Sequence, residues 1–291
     1  MCIQPYEDAP TKSIIRHEEI VERARLMNKS YLLLRALGGL LPGLKPDHLQ
    51  HMTNVLEIAC GPGIWTLEVA RANPQVQVTG VDTSSAMVAS ARNLMREQAL
   101  SNVEYRHIPS FVHALPFEDM SFDFISMQFM EKFLKADEWP YLLSECWRLL
   151  RPGGLIRLTE LEVSWTTSLA HEKLCQLFIQ SMRLDGRSFS PSDRHLGLIS
   201  ELEPLLYASR FEECTSVPHM VNYSYGAPLH DEWRNDLLIL SKEVESLIVE
   251  MGIATQEYVD TLHRQQHYEM SIPTFHAIQP LLTVWGIKVT N

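Results

Sequence analysis

Hydrophobic and polar positions alternate in a regular way between residues 53 and 160. Short apolar runs that suit strands buried on both faces are separated by longer segments whose apolar residues recur at helical spacing. The strand-like runs are residues 53–59, 76–82, 103–108, 122–127 and 155–159. This alternation predicts right-handed βαβ crossovers and a doubly wound, mostly parallel α/β sheet with helices on both faces.

The segments on either side of this alternation are mainly helical in pattern. The N-terminal segment predicts a helix over residues 14–38 that ends at Gly38-Gly39. After Glu160 the pattern predicts helices at residues 169–184, 196–208, 230–251 and 255–267, and strands at 211–217 and 277–287. With these two additions the predicted sheet has seven strands.

The connection between the last two predicted strands is unusually long. It holds roughly 55 residues, whereas a hairpin needs only about 2–5. The excess favours a helical substrate cap at about residues 225–272. We therefore predict three parts: an N-terminal helical lid at residues 1–40, a ligand-binding α/β core at 41–165, and a C-terminal half at 166–291 that completes the sheet and carries the cap.

Composition and charge narrow the classes of partner. The 291 residues include 25 Lys and Arg against 36 Asp and Glu, and the formal charge of −11 repels phosphate backbones and anionic lipid. Five cysteines form no paired spacing, the N-terminal sequence lacks a signal-peptide pattern, and no apolar run approaches the roughly 20 residues that span a bilayer. These features predict a cytoplasmic protein without nucleic-acid or membrane partners, and they leave a homodimer open.

A glycine turn follows the first predicted strand, at residues 57–63. Gly61 and Gly63 allow the backbone to approach a ligand closely, and the free N–H groups at the start of the next helix favour an anionic group. Asp82 ends the second strand about 20 residues later, where a carboxylate can accept both hydroxyls of a ribose. Together the turn and Asp82 indicate a ligand that contains adenosine.

The residues around the turn distinguish between adenosine ligands. A dinucleotide-binding turn needs a third glycine where Thr66 stands, and Trp65 adds bulk beside it. Glu57 would repel a pyrophosphate and instead suits an ammonium group, such as the one on the methionine part of S-adenosylmethionine. A turn that merely connects strand and helix is the remaining alternative.

Several motifs in order resemble those of the class I S-adenosylmethionine-dependent methyltransferases. They are residues 55–63, Val81-Asp82, residues 114–117 with 121–123, and residues 149–154. The resemblance covers about residues 50–165 and implies a Rossmann-like methyltransferase fold with helical cap additions. More loosely, residues 24–26, 38–42 and 283–286 are similar to a small-molecule subgroup found in microbial secondary metabolism.

This resemblance implies a cofactor site for S-adenosyl-L-methionine. The methionine end would be held by Glu57 and by the backbone around Ala59, Gly61 and Gly63, and the ribose by Asp82. Thr83 and Met87 would flank the adenine, Ser110 and Phe111 would line its far edge, and Met127 and Gln128 would approach from the fourth strand. Many relatives carry an acidic residue near position 111, where this chain offers a hydroxyl and an aromatic ring.

The chemistry of methyl transfer places few demands on side chains. It is an in-line displacement that needs alignment and exclusion of water, together with a general base where the acceptor must lose a proton. Candidate catalytic residues are Gln128, His113 and His219. His263 and His267 are one helical turn apart, but no third ligand has suitable spacing, so no metal is predicted.

The sequence therefore favours a methyltransferase that acts on a small, fairly apolar metabolite. Two alternatives from other classes remain at this point. One is a non-catalytic, cofactor-binding regulatory or scaffold protein of secondary metabolism, and the other is an enzyme that uses the bound cofactor in a reaction other than methylation.

Overall fold

The computed structural model describes residues 19–44 and 51–289. Its strands are β1 (Asn54–Ile58), β2 (Gln77–Asp82), β3 (Val103–His107), β4 (Phe122–Gln128), β5 (Leu150–Leu161), β6 (Trp165–Thr166), β7 (Glu212–Asn222) and β8 (Ala277–Ile287). Its α-helices are α1 (Glu19–Ala36), α2 (Ile64–Ala72), α3 (Ser85–Glu97), α4 (Trp139–Leu149), α5 (Leu169–Leu184), α6 (Leu198–Ala208), α7 (His230–Glu250) and α8 (Gln256–Glu269). A short 3₁₀ helix, Met130–Lys132, follows β4.

The strands form one mostly parallel sheet, which confirms the predicted α/β class. Its order is β3-β2-β1-β4-β5-β8, and β1 to β5 are parallel where they pair. The reversed strand β8 pairs antiparallel with β5 on one side and with β7 on the other. The carboxyl ends of β1, β2 and β4 therefore lie side by side, which is where open α/β sheets bind ligands.

Two predictions about the elements need correction, and a third lies partly outside the described residues. The sheet has eight strands rather than seven, because the two-residue β6 pairs with the start of β8. Strand β5 starts at Leu150, whereas the predicted strand starts at residue 155. The predicted N-terminal helix is described from Glu19 onward, so the rest of that prediction, and residues 1–18 of the predicted lid, lie outside the described residues.

Buried ion pairs hold α1 against α7. Asp236 of α7 accepts hydrogen bonds from Arg25 at 2.7 Å and from Lys29 at 2.6 Å, and Arg25 also donates two bonds to Glu22. The side chains of all four are buried. Because an unpaired buried charge is costly, this network fixes the position of α1 over the sheet edge.

Helices α7 and α8 occupy the long connection between β7 and β8, as predicted. Trp233 of α7 is fully buried in a cluster with Tyr223 and Phe275, and α8 packs against α5 and α7. Among the helices of the described ranges, none combines the length and apolar character needed to cross a bilayer.

Candidate functional site

The turn after β1 has the backbone conformation that its glycines suggested. Ala59, Gly61 and Gly63 have φ values of 58°, 52° and 80°, all in the left-handed region. A Cβ on Gly61 would meet no atom within 4 Å, whereas one on Gly63 would lie 2.6 Å from the Tyr105 ring. Gly61 therefore presents its backbone to open space, and Gly63 permits close packing of α2 on the sheet.

Asp82 is built into the same turn at the end of β2. Its carboxylate accepts the N–H of Gly61 at 2.8 Å and the N–H of Ser84 at 2.8 Å, and Ser84 in turn caps α3. Burial raises the pKa of Asp82, although these N–H donors oppose that shift. The side chain thus joins the ends of β1 and β2 and lies at the edge where a ligand would bind.

A polar row crosses the middle of the sheet beneath the turn. Glu57 pairs in register with Ser126, and Ser126 pairs with Arg157. The Glu57 carboxyl accepts hydrogen bonds from the N–H and the hydroxyl of Thr66 at the start of α2. Burial raises the pKa of Glu57 to about 8.

Arg157 is the cation of this row. Its guanidinium donates to the hydroxyl of Ser126 at 2.8 and 3.1 Å and to the carbonyl of Leu40 at 2.6 Å, and its centre lies 4.7 Å from the Trp65 ring. Burial lowers the pKa of Arg157 to about 10, so it remains protonated at neutral pH. Glu57 and Arg157 therefore place a carboxyl group and a cation on one face of the sheet.

A cavity of about 580 Å³ opens beside the turn, a volume within the range typical of small-molecule sites. One end is lined by the turn, the ends of β1, β2 and β4, and the start of α3. The other end is lined mainly by apolar residues of α1, the segment after β4, α5 and α7. The two ends form one continuous space.

Seven predicted site residues line this cavity. They are Glu57, Ala59, Gly61, Asp82, Thr83, Met87 and Gln128. They come from four parts of the chain that only the parallel order of β2, β1 and β4 brings together. The structure thus places them around one space, and their ligand contacts remain predictions.

Four predicted cofactor residues do not line the cavity. Gly63 lies under Tyr105, whose hydroxyl donates to its carbonyl at 2.7 Å. Met127 is fully buried and points to the opposite face of β4 from Ser126, because side chains alternate along a strand. Phe111 is fully buried against the Phe133 ring, and Ser110 beside it is also buried. The aromatic ring at position 111 is thus part of the core.

The two histidines proposed as catalytic residues lie elsewhere. His113 is exposed in the segment after β3 and does not line the cavity. His219 lies on the outer strand β7, where its ring is 3.2 Å from the hydroxyl of Thr283 on β8. Strands β8 and β5 separate it from β4, so His219 lies far along the sheet from the turn. Of the three catalytic candidates, the structure places only Gln128 at the cavity.

Several charged residues of the cavity were not predicted. Glu22 and Lys29 line it from α1, Lys132 lines it from the 3₁₀ helix, and Arg157 lines it from β5. Two signals were available in the sequence. Glu22, Arg25 and Lys29 share one face of a helix by spacing, and Arg157 interrupts an otherwise apolar strand.

No group of three or more potential metal-ligating side chains is found within residues 19–44 and 51–289. His263 lies beside Glu245, 3.1 Å from its carboxylate.

Comparison with known sequences agrees with this architecture. Residues 55–154 match the protein family described as "Methyltransferase domain". Demethylmenaquinone methyltransferase of Listeria welshimeri is 35% identical over 112 residues, which cover 38% of this chain and 46% of that protein. The protein of the same name from Bacillus cytotoxicus is 28% identical over 151 residues, or 51% of this chain and 61% of that protein. The chain spans about half the length of the curated relatives it matches.

Solved structures share the fold. The YcgJ protein of Bacillus subtilis aligns with 93% of this chain and 100% of its own, with a TM-score of 0.51 and 19% identity. Phosphoethanolamine N-methyltransferase 2 of Haemonchus contortus, in complex with S-adenosyl-L-methionine, aligns with 91% of this chain and 53% of its own, with a TM-score of 0.50 and 17% identity. Residues 55–154 form a class I S-adenosylmethionine-dependent methyltransferase domain, so the family resemblance drawn from the sequence is confirmed for this part of the chain.

Proposed function

We propose that this protein binds S-adenosyl-L-methionine beside the glycine turn and transfers its methyl group to a small, fairly apolar molecule. The observation that carries the proposal is the continuity of the cavity, which runs from Gly61 and Asp82 to an apolar chamber under α1 and α7. Cofactor and acceptor would thus meet without crossing bulk solvent. We further propose a cytoplasmic location and a role in secondary metabolism.

The residues at the turn fit the cofactor chemically. Asp82 offers carboxylate oxygens for the two ribose hydroxyls, and the backbone at Gly61 is open to the cavity. Arg157 supplies a positive charge that matches an α-carboxylate group, and Glu57 supplies the matching negative charge for an α-ammonium group once it has released its proton. When bound, the cofactor supplies an electrophilic methyl group on a sulfonium.

The other end of the cavity would hold the acceptor and exclude water. Leu33 and Leu37 of α1, Phe178 of α5 and Leu240 of α7 line it. An apolar cavity orients a small molecule for in-line attack, and an acceptor bound in it keeps water away from the reactive methyl. A concave cavity of this size favours an enzyme over a protein that acts through partners, for which an open apolar surface is expected.

Replacing Asp82 with alanine should weaken cofactor binding. We expect the affinity for S-adenosylhomocysteine to fall by about 1–3 kcal/mol, because the ribose hydroxyls lose an ionised acceptor. Calorimetry would measure the affinity, and thermal unfolding would check that the variant is folded. Asp137→Ala, at an exposed carboxylate that does not line the cavity, is the matched control.

The proposed function also requires that the protein transfers the methyl group to an acceptor. Incubation with radiolabelled S-adenosylmethionine and a pool of small metabolites should give labelled small-molecule product. Cofactor binding without any transfer would support a non-catalytic role, and unchanged affinity in Asp82→Ala would place the cofactor elsewhere.

Cofactor binding should depend on pH through Glu57. The pKa of its carboxyl is raised to about 8 by burial, so below pH 8 the group is mostly protonated. Binding of an ammonium group favours the ionised form, so it must release a proton in that range. We expect affinity to rise between pH 6 and 8, by at most tenfold per pH unit, and to level off above 8.

Calorimetry in buffers of different ionisation enthalpy would detect the released proton. Glu57→Gln cannot release one, so its weaker binding should show little pH dependence. Wild-type binding that is equally strong at pH 6 and 8 would contradict an ammonium contact at Glu57.

A further inference from the structure

A pair of carboxyl groups lies at the junction between β4 and the acceptor end of the cavity. Glu131 belongs to the 3₁₀ helix after β4, and Glu160 belongs to the neighbouring strand β5. Glu131 is 4% exposed and lines the cavity, whereas Glu160 is fully buried behind it. Two neighbouring carboxyl groups are an unfavourable arrangement at a buried position, because burying a charge without a partner is costly.

The backbone holds this pair in place. Phe129 has a left-handed conformation, with φ of 56°, and its N–H donates to the carbonyl of Thr159 at 3.0 Å. The N–H of Met130 then donates to one oxygen of Glu160 at 2.8 Å. A non-glycine residue in this conformation is uncommon, and such strained residues cluster at functional sites.

Glu160 is the member of the pair whose protonated form is favoured. Burial and the adjacent Glu131 carboxylate raise the pKa of Glu160 well above its usual range. A protonated Glu160 can donate a hydrogen bond to Glu131. Glu131 is the member of the pair that lines the cavity.

Glu131 differs from the other carboxyl groups that line the cavity. Glu22 accepts two hydrogen bonds from Arg25, Glu57 accepts two from Thr66, and Asp82 accepts two backbone N–H groups. The Oε2 atoms of Glu131 and Glu160 are both buried and have no hydrogen-bond partner among the described residues. Of these two residues, only Glu131 lines the cavity, so a ligand at the acceptor end can supply the partner that its Oε2 atom lacks.

Two cations of the cavity already have partners within the protein. Lys29 pairs with Asp236 and lies over the Trp233 ring, and Arg157 contacts Ser126 and two tryptophan rings. Lys132 follows Glu131 directly and also lines the cavity. The lining of the chamber is otherwise largely apolar, which excludes a highly charged acceptor.

We propose that Glu131 is the general base of the reaction, positioned by Glu160, and that the acceptor is an apolar phenol or enol methylated on its hydroxyl oxygen. This inference rests on the proposed methyltransferase function. The hydroxyl proton passes to Oε2 of Glu131 as the oxygen bonds to the methyl carbon. The carbon–sulfur bond breaks with its electron pair left on sulfur, which becomes a neutral thioether. A carboxylate can take a proton from a phenol or enol, whereas an alkyl alcohol is too weak an acid.

The test compares acceptors of different acidity. A panel of substituted phenols and cyclic 1,3-diketones would be assayed with radiolabelled S-adenosylmethionine for wild type, Glu131→Gln and Glu131→Asp. Glu118→Gln, at an exposed carboxylate away from the cavity, is the control. For acceptors that are protonated at the assay pH, Glu131→Gln should lower kcat by about 10²–10⁴-fold. For acceptors that are already ionised, the loss should shrink to less than tenfold.

Two further readouts separate a base from a structural residue. Glu131→Asp keeps a carboxylate and should recover part of the activity, and Glu160→Gln can still donate a hydrogen bond and should lose less than Glu131→Gln. Affinity for S-adenosylhomocysteine should stay within about twofold of wild type in all variants.

Three negative results would overturn three different parts of the proposal. An equal loss with ionised and protonated acceptors would overturn the role of Glu131 as base. Methylation of amines but of no phenol or enol would overturn the acceptor class. Failure of the wild type to bind S-adenosylhomocysteine would instead overturn the proposed function itself.

Discussion

Replacing Asp236 with asparagine is expected to destabilise the protein by about 3–5 kcal/mol, because two buried cations lose their shared anion. Arg25 and Lys29 both bond to this carboxylate, and their side chains are 1% and 9% exposed. Burial lowers the pKa of Lys29. Burial alone would raise the pKa of Asp236, but Lys29 and Arg25 hold it below its usual value.

Thermal or urea unfolding would measure this loss. The matched control is Glu232→Gln, one helical turn away on α7, which breaks the pair between Arg35 and Glu232. Both partners there are 53% exposed, so the expected change is below about 1 kcal/mol. Equal losses in the two variants would mean that burial does not govern the strength of the α1–α7 network.

Gly63→Ala should mainly lower the stability of the protein, whereas Gly61→Ala should mainly lower its affinity for the cofactor. The new Cβ at position 63 would lie 2.6 Å from the Tyr105 ring, which is almost fully buried and also packs against Gly80. Because the ring has no space to move, we expect a loss of about 3 kcal/mol from overpacking and the left-handed backbone together. At position 61 the Cβ meets nothing, so only the backbone cost of about 1 kcal/mol applies.

The effects of the two variants on cofactor affinity should have the opposite order to their effects on stability. Gly61 lines the cavity and Gly63 does not, so Gly61→Ala should weaken binding of S-adenosylhomocysteine more than folded Gly63→Ala does. Unfolding curves and calorimetry on both variants would test this. A Gly61→Ala variant with full affinity would show that the ligand does not approach that backbone.

The sequence predicted the regular elements well because local signals define them. The bounds predicted for α5 and β8 are those observed. Ser168 caps α5 by accepting the N–H of His171, and the alternating pattern of β8 reflects a strand with pairs on both sides. Strand β6 carries no such signal, because its two residues are a strand only through their pairing with β8.

The sequence predicts the site residues that belong to one local motif. It predicts less well the residues whose side-chain positions depend on tertiary contacts. The residues from Glu57 to Gly61, together with Asp82, lie at the ends of strands that the parallel order brings together. The direction of Phe111 depends on the Phe133 ring, which comes from a distant part of the chain. The pairing of Glu131 with Glu160 likewise depends on strand neighbours that no local pattern encodes.

The antiparallel pairing of β7 with β8 brings the ends of the α7–α8 segment together, since Asn222 lies opposite Ile278. A segment that leaves and re-enters a scaffold at nearly the same point can be lengthened, shortened or exchanged without disturbing that scaffold. Selection could therefore remodel α7, and with it the preferred acceptor, while the glycine turn stays unchanged. Grafting this segment between related chains would be a direct route to altered specificity.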